Sequence, residues 1–373
     1  MTTSAPTAAV GLPLLAVDTP ALILDLDAFE RNVARMADAL RGTGVRLRPH
    51  AKSHKSAEIA RRQMAAGAVG VCCQKVSEAE ALVAGGVPDV LISNEVVGGE
   101  KLDRAAALAR SAKIALCVDA AQNVADVDAA AARAGVELDV LVEVNVGGNR
   151  CGVEPGAPAL VLARAVAESR HLRFAGLQAY HGSAQHRRSV AERRAAIDRS
   201  ADVIRSTRAL IAADGIACPT VTGAGTGSFP LELASGAWNE LQPGSYIFMD
   251  VDYSRNTFDD LWPAFEQSLF LWATVMSTPN AARAVVDVGL KACAFDSGMP
   301  GVWQRPGVEY VNASDEHGVL AVAPGAEGPA LGDKLLLVPG HCDPTVNLHD
   351  WFVCVRQGVV EALWPVSARG AMR

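Results

Sequence analysis

The sequence contains no apolar stretch long enough to span a bilayer. Its longest apolar runs are short, such as LDVLVEV over Leu138–Val144, against the ~20 residues a membrane helix needs. It also lacks a basic n-region: MTTSAPTAAVGLPLLAVDTP carries no lysine or arginine, which argues against a secretory signal. There is no excess of positive charge. Against 34 basic residues stand 41 acidic ones, a net charge of −7, so a general nucleic-acid-binding surface is not expected. No CxxC pair occurs among the eight cysteines, which disfavours a zinc ribbon. Several thiols sit in apolar runs (VGVCCQ, IALCVD, WFVCV), where they act as small hydrophobes, and a reducing cytoplasm is the expected compartment. Repeats and low-complexity tracts are missing too. What is left is half hydrophobic and 20% charged, the composition of a compact globular enzyme.

What is present is an alternation. From about residue 27, amphipathic helical segments such as DLDAFERNVARMADALRG alternate with short apolar strands such as AVGVCCQ, DVLISN, KIALCVD and LDVLVEVNVG. About eight strand–helix steps fill roughly 220 residues, and a long helix is expected from about Val190 to Ala213. Near-continuous apolar strands between helices imply a parallel sheet covered on both faces. Eight steps fit a closed (β/α)8 TIM barrel over residues 27–255 better than an open doubly wound sheet. Past residue 250 the pattern becomes short strands with Gly, Pro and Asn turns (LFLWATVMS, GVLAVAPG, DKLLLVPG, VVEALWPVS). That reads as an antiparallel β domain over 256–373, joined by residues 1–26 through PALILDLD. The break DVDYSRNTFDDLWP is polar and aromatic and is expected to be a functional crossover.

In a barrel, the chemistry sits at the C-terminal ends of the strands. Four clusters fall there or in the β domain. RPHAKSHK places Arg48, His50 and Lys52 on one face if the strand runs that far. A desolvated Lys52 near other cations is expected to be a neutral, nucleophilic amine, with Lys55 more exposed; the alternative is a pair of surface lysines. GAGTGS, with Gly225, Thr226 and Gly227, lies after strand seven, where barrel phosphate sites recur. Its backbone amides and hydroxyls suit an anion, although such a loop in isolation is more often a plain turn. Ser245 and Tyr246 of LQPGSY lie at the end of strand eight and close the same site. His341 and Asp343 of GHCDP stand two apart and can share a divalent cation with waters; a simple Asp-Pro turn is the competing view. Tyr180 and His186 of YHGSAQH suggest acid–base work at the end of strand six. Arg150 adds a fixed cation after strand five. A lysine, a phosphate cradle and a cation at one barrel mouth imply pyridoxal phosphate.

These motifs, together with GVCCQKVSEAE, ISNEVVG, GNRCGV, ELQPGSYIFMD and PGHCDPTVNLHD, resemble the fold-type III pyridoxal-phosphate enzymes of the D-threonine aldolase and D-3-hydroxyaspartate aldolase group. D-serine dehydratase and alanine racemase are more distant members. The resemblance runs from VDTPALILDLD to WPVSARG. It implies that Lys52 bonds the cofactor aldehyde and that Arg150 contacts its phenolic oxygen. Gly225, Thr226, Gly227, Ser245 and Tyr246 would hold the phosphate. Gln242 would face the pyridine nitrogen, and Tyr180 would lie beside the ring. His341 and Asp343 would bind a divalent metal, with His186 as the base near it. His-x-Asp here, rather than the His-x-Cys of the dehydratase, implies magnesium or manganese in preference to zinc. Ala224 stands where related loops often carry glycine, and any small residue is expected to serve.

The activity implied is reversible cleavage of a small D-3-hydroxy-amino acid, D-threonine or D-3-hydroxyaspartate, to glycine and an aldehyde. Elimination from D-serine or 3-hydroxyaspartate to a keto acid and ammonia is the alternative, with racemisation third. A non-catalytic cofactor carrier would lack the β domain, and a sugar-phosphate barrel enzyme would need no pyridoxal phosphate. No nucleic-acid or membrane partner is expected. A homodimer is, with the β domain against a neighbouring barrel.

Overall fold

The computed structural model describes Pro6 and residues 8–373. The first strand, β1 (Ala21–Asp25), ends in the residue that starts the first helix. Asp25 caps Leu26–Leu40 by accepting from Ala28 N at 3.0 Å, satisfying one of the orphan amides of a helix start.

Eight parallel strands follow: β2 (Arg46–Leu47), β3 (Val71–Cys73), β4 (Asp89–Glu95), β5 (Lys113–Val118), β6 (Leu138–Glu143), β7 (Leu172–Ala179), β8 (Thr220–Gly223) and β9 (Glu240–Leu241). They lie in the order β2-β9-β8-β7-β6-β5-β4-β3. The sheet curls until its edges meet: Val69 N donates to Leu47 O, Cys72 N to Pro49 O, and His50 bridges to Cys72. The expected helices cover it. The long one spans Val190–Ala213 and opens with a capping box between Ser189 and Glu192, which secures two amides reciprocally. Every residue of β6 is buried, as expected for a strand covered on both faces.

The second sheet has nine strands. Beyond β1 these are β10 (Leu269–Asn280), β11 (Arg283–Val286), β12 (Gly301–Val302), β13 (Val308–Ala313), β14 (Gly318–Val322), β15 (Lys334–Val338), β16 (Trp351–Arg356) and β17 (Val359–Pro365). Its main path runs β13-β14-β11-β10-β1-β16-β17. The pairs are antiparallel except β1 with β16. The expected strand over VRLRPHAK is cut short. It ends at Leu47, and Ala51–Ser53 forms a 3₁₀ turn. Two short helices break the strand pattern of the second half, Val251–Ser254 and Cys342–Val346. Both turn out to serve the site. Among the described residues, no helix is long and apolar enough to cross a membrane.

Candidate active site

A cavity of about 440 Å³ opens at the C-terminal ends of the barrel strands. Lys52, Arg150, Tyr180, His186, Gly225, Thr226, Gln242 and Ser245 all line it. Distant parts of the chain therefore converge as the sequence motifs imply.

Lys52 rides the 3₁₀ turn. Its backbone N–H donates to the His50 ring at 3.3 Å, and His54 N donates to Ala51 O at 3.1 Å. Its Nζ donates to Asp343 Oδ2 in a short ion-paired contact. Burial pulls the ammonium down, but Asp343 outweighs it and the Lys52 pKa is raised. The neutral amine expected from sequence is thus corrected: the nearest charge is an anion, not the neighbouring cations. Asp343 mirrors this. Burial pushes its carboxyl up, yet Lys52 and then His341 hold it well below the ordinary carboxylate range.

The other residues of RPHAKSHK are buried, which rules out a solvated loop. Arg48 does not share a face with Lys52. It lies at the opposite end of the barrel, its Nε on Glu240 at 2.9 Å and its Nη1 on Asp89 at 2.7 Å. Burial, then Lys52, keep His50 neutral, its pKa well below the ordinary imidazole value. Burial also lowers His54, to about 3. Lys55, expected to be the exposed lysine, is 8% accessible and pairs with Glu78 at 2.8 Å.

The GAGTGS turn is built around Gln185. Gly227 N donates to Gln185 Oε1 at 2.9 Å, and Gln185 Nε2 donates to Ser228 Oγ at 2.7 Å. A Cβ on Gly227 would come within 2.7 Å of the Gln185 backbone carbonyl, so that position requires glycine, and one on Gly225 would come within 2.5 Å of Gln185 Oε1 and displace the side chain that braces the turn. Ala224 has φ +69°, a left-handed conformation that strains any residue with a Cβ. Size alone therefore does not govern that position. Thr226 Oγ1 is buried without a partner. Such an orphan is costly in a finished structure, and it faces the cavity where a phosphate oxygen would accept from it. Tyr246 differs from expectation. Its ring packs on Phe265 and its hydroxyl accepts from Gln63 Nε2 at 3.0 Å, so its side chain turns away from the cavity. The Gly227 amide is likewise already engaged by Gln185.

Across the cavity, the Arg150 guanidinium sits 5.6 Å from the Tyr180 ring centroid, within cation–π range. Burial raises the Tyr180 pKa, opposed by Lys52 and Arg150. Gln242 Nε2 donates to Gln178 Oε1 and Thr222 Oγ1, both at 2.9 Å. Both of its hydrogens are committed. Glu143, on the wall, is pushed up by burial and by its hydrogen-bonded neighbour Glu95.

The β-domain pair is delivered by the crossover. Asp250 caps Val251–Ser254 through Tyr253 N at 2.9 Å, and its other oxygen accepts from Cys342 N at 2.9 Å. Val251 N and Asp252 N donate to Pro339 O and Gly340 O. His341 Nδ1 lies 2.7 Å from Asp296 Oδ2, a contact that orients the ring and would leave Nε2 to a metal. Among the described residues, no group of three or more His, Cys, Asp or Glu is placed to hold a metal. His341 and Asp343 would supply two protein ligands, the rest coming from water or substrate.

His186 is also positioned from the crossover. Its Nδ1 meets Asp252 Oδ2 at 2.5 Å, and Arg188 holds the other carboxylate oxygen at 2.5 Å. The His186 ring lies 6.3 Å from that of Tyr253. Asp252, Tyr253, Asp296 and Glu143 were not singled out in the sequence. The only signal for the first two was the polar character of DVDYSRNTF. Taken together, the Lys52 nitrogen, the Arg150 guanidinium, the orphan hydroxyl and the glycine turn fit a phosphorylated aldehyde cofactor.

The comparisons agree. The family model for the alanine racemase N-terminal domain matches residues 24–252, and that for a putative serine dehydratase domain matches 268–355. D-threonine aldolase of Arthrobacter sp. is 52% identical over 99% of this chain and 97% of its own. The 3-hydroxy-D-aspartate aldolase of Paracoccus denitrificans (strain Pd 1222) is 47% identical over 95% of this chain and 92% of its own. The crystal structure of D-threonine aldolase from Filomicrobium marinum superposes with a TM-score of 0.96 at 55% identity, covering 99% of this chain and all of that one. With curled parallel sheet, antiparallel domain and both family segments in register, the chain belongs to the fold-type III pyridoxal-phosphate enzymes, in the group of D-threonine aldolase and 3-hydroxy-D-aspartate aldolase.

Proposed function

We propose that the protein cleaves D-3-hydroxy-amino acids reversibly to glycine and an aldehyde, with pyridoxal phosphate at Lys52 and a divalent metal at His341 and Asp343. One observation carries this: the barrel lysine touches the β-domain carboxylate, and the cavity that this lysine lines is also lined by a threonine whose buried hydroxyl has no partner. The residue roles proposed here are those the family resemblance implies, and the cavity lining supports them. Lys52 would supply the nitrogen that bonds the cofactor aldehyde. Thr226, Gly225 and Ser245 would hold its phosphate, with Gly227 and Tyr246 contributing at most through backbone. Arg150, beside Tyr180, would offer a cation to its phenolic oxygen. Gln242, with both hydrogens engaged, would lie at the pyridine edge without giving it a proton. Bound there, the cofactor supplies an electron sink for the pair released at Cα.

His186 takes the proton of the substrate 3-hydroxyl at Nε2. Asp252 on Nδ1 fixes that tautomer and stabilises the charge that develops. His341, oriented by Asp296, and Asp343 would hold a divalent cation, which would supply Lewis acidity at the hydroxyl. An oxygen and imidazole pair favours magnesium or manganese over zinc. The barrel is taken as 27–255, with 1–26 and 256–373 forming the second domain. A homodimer is the assembly the family resemblance implies. Eight free thiols support a reducing cytoplasm.

The experiment is a panel of D-threonine, D-3-hydroxyaspartate and D-serine, assayed with magnesium, manganese, zinc or chelator. Glycine plus aldehyde, lost on chelation, is expected. Ammonia plus keto acid would show a dehydratase instead.

A further inference from the structure

Residues 366–373 follow the last strand and run between the two halves of the site. On one side they meet the turn that carries Lys52. Ala368 N donates to Lys55 O at 2.9 Å, and Ala57 N donates to Ser367 Oγ at 3.0 Å. On the other side they meet the helix that starts at Cys342. Gly370 N donates to Asn347 Oδ1 at 3.0 Å, and Asn347 caps that helix. Val366 N donates to Asp350 O at 2.8 Å, and Arg369 pairs with the Asp350 carboxylate at 2.5 Å.

Lys55 is the post to which this segment is tied. Its Nζ lies 2.8 Å from Glu78 Oε1 and donates to Ala371 O at 3.4 Å and Ala368 O at 3.5 Å. Glu78 is itself buried. Its other oxygen accepts from Gln74 N at 2.9 Å, and the Gln74 amide reaches the His50 ring at 2.8 Å. A buried ammonium is retained only where it is paired and its protons are used. Lys55 meets both conditions, yet it does not line the cavity.

We propose that Lys55 is a positioning residue: with residues 366–373 it holds the Lys52 turn in register with the helix bearing Asp343. The second lysine of RPHAKSHK thus sets the separation of cofactor and metal sites without touching either ligand. This rests on the Lys52 and His341/Asp343 assignments above.

The test compares the parent chain with Lys55→Met and Asn347→Ala. Three quantities are read: pyridoxal phosphate affinity by visible absorbance, Mn²⁺ affinity by electron paramagnetic resonance, and the thermal midpoint. Both variants are expected to weaken both affinities by about tenfold or more, the usual effect of losing an outer-shell support. Variants that melt earlier but keep both affinities within about twofold would reduce Lys55 to a merely structural contact and overturn the proposal. If Lys55→Met does not fold, Asn347→Ala decides by the same criterion, because it acts from the far end of the segment. A parent chain that binds neither ligand overturns the active-site assignment and this inference with it. A parent that binds both, with unaffected variants, overturns this inference alone.

Discussion

Lys52 and Asp343 meet across the boundary between the barrel and the second sheet, and Ser245 Oγ donates to the same carboxylate at 3.5 Å. The two residues are 291 positions apart in sequence. Their contact brings the nitrogen proposed to bond the cofactor and a proposed metal ligand to one point. Asp343→Asn keeps the shape and removes the charge. Manganese-dependent kcat should fall by roughly 100-fold or more, beyond what loss of an outer-shell partner costs, while pyridoxal phosphate still binds. Metal titration alongside the visible spectrum checks both halves.

The His186–Asp252 pair carries a second expectation. A general base contributes about 10²–10⁴-fold, so if His186 acts as proposed, His186→Ala should lose that much kcat. Asp252→Asn leaves the imidazole in place but removes the anion on Nδ1. It should lose roughly 10–100-fold, with KM and the cofactor spectrum little changed. The kcat against KM split is the readout. A loss confined to KM would show that Asp252 shapes binding and not the base.

A third expectation concerns pH and stability. Glu232 is buried behind the glycine turn, accepts from Ser228 Oγ at 2.7 Å, and leaves Oε2 without a partner. Burial pushes its pKa up to about 7. The unfolded group titrates near its ordinary value of 4.5. Between these two values the folded protein holds a proton that the unfolded chain has released. Stability therefore falls as pH rises through this window, by about 3 kcal/mol at ~1.36 kcal/mol per pH unit, and then levels off. Glu232→Gln should flatten the dependence. Thermal midpoints of both proteins between pH 4 and 8 decide it.

Much of this was legible in the sequence because the fold rests on strong local signals. The Val190–Ala213 helix carries its own capping box, and buried parallel strands such as β6 are uninterrupted apolar runs. The site was legible where motifs are contiguous, as in GAGTGS. The misses share a physical cause. Period-two alternation put Arg48 and Lys52 on one face, but the strand stops at Leu47 and a 3₁₀ turn redirects the lysine. Lys55 looked solvated because its partners, Glu78 and the carbonyls of Ala368 and Ala371, are distant in sequence. Tyr246 was grouped with Ser245 by adjacency, although neighbouring side chains point apart. Asp252 and Asp296 reach the site through the histidines they hold, and apart from the polar character of DVDYSRNTF around Asp252 nothing local marks them.

Reduction with borohydride in the presence of pyridoxal phosphate, followed by peptide mapping, tests the role of Lys52 most directly. The phosphopyridoxyl label should appear on Lys52 alone and vanish, with the visible absorbance, in Lys52→Ala. A label on Lys55, or absorbance that survives in Lys52→Ala, would contradict it.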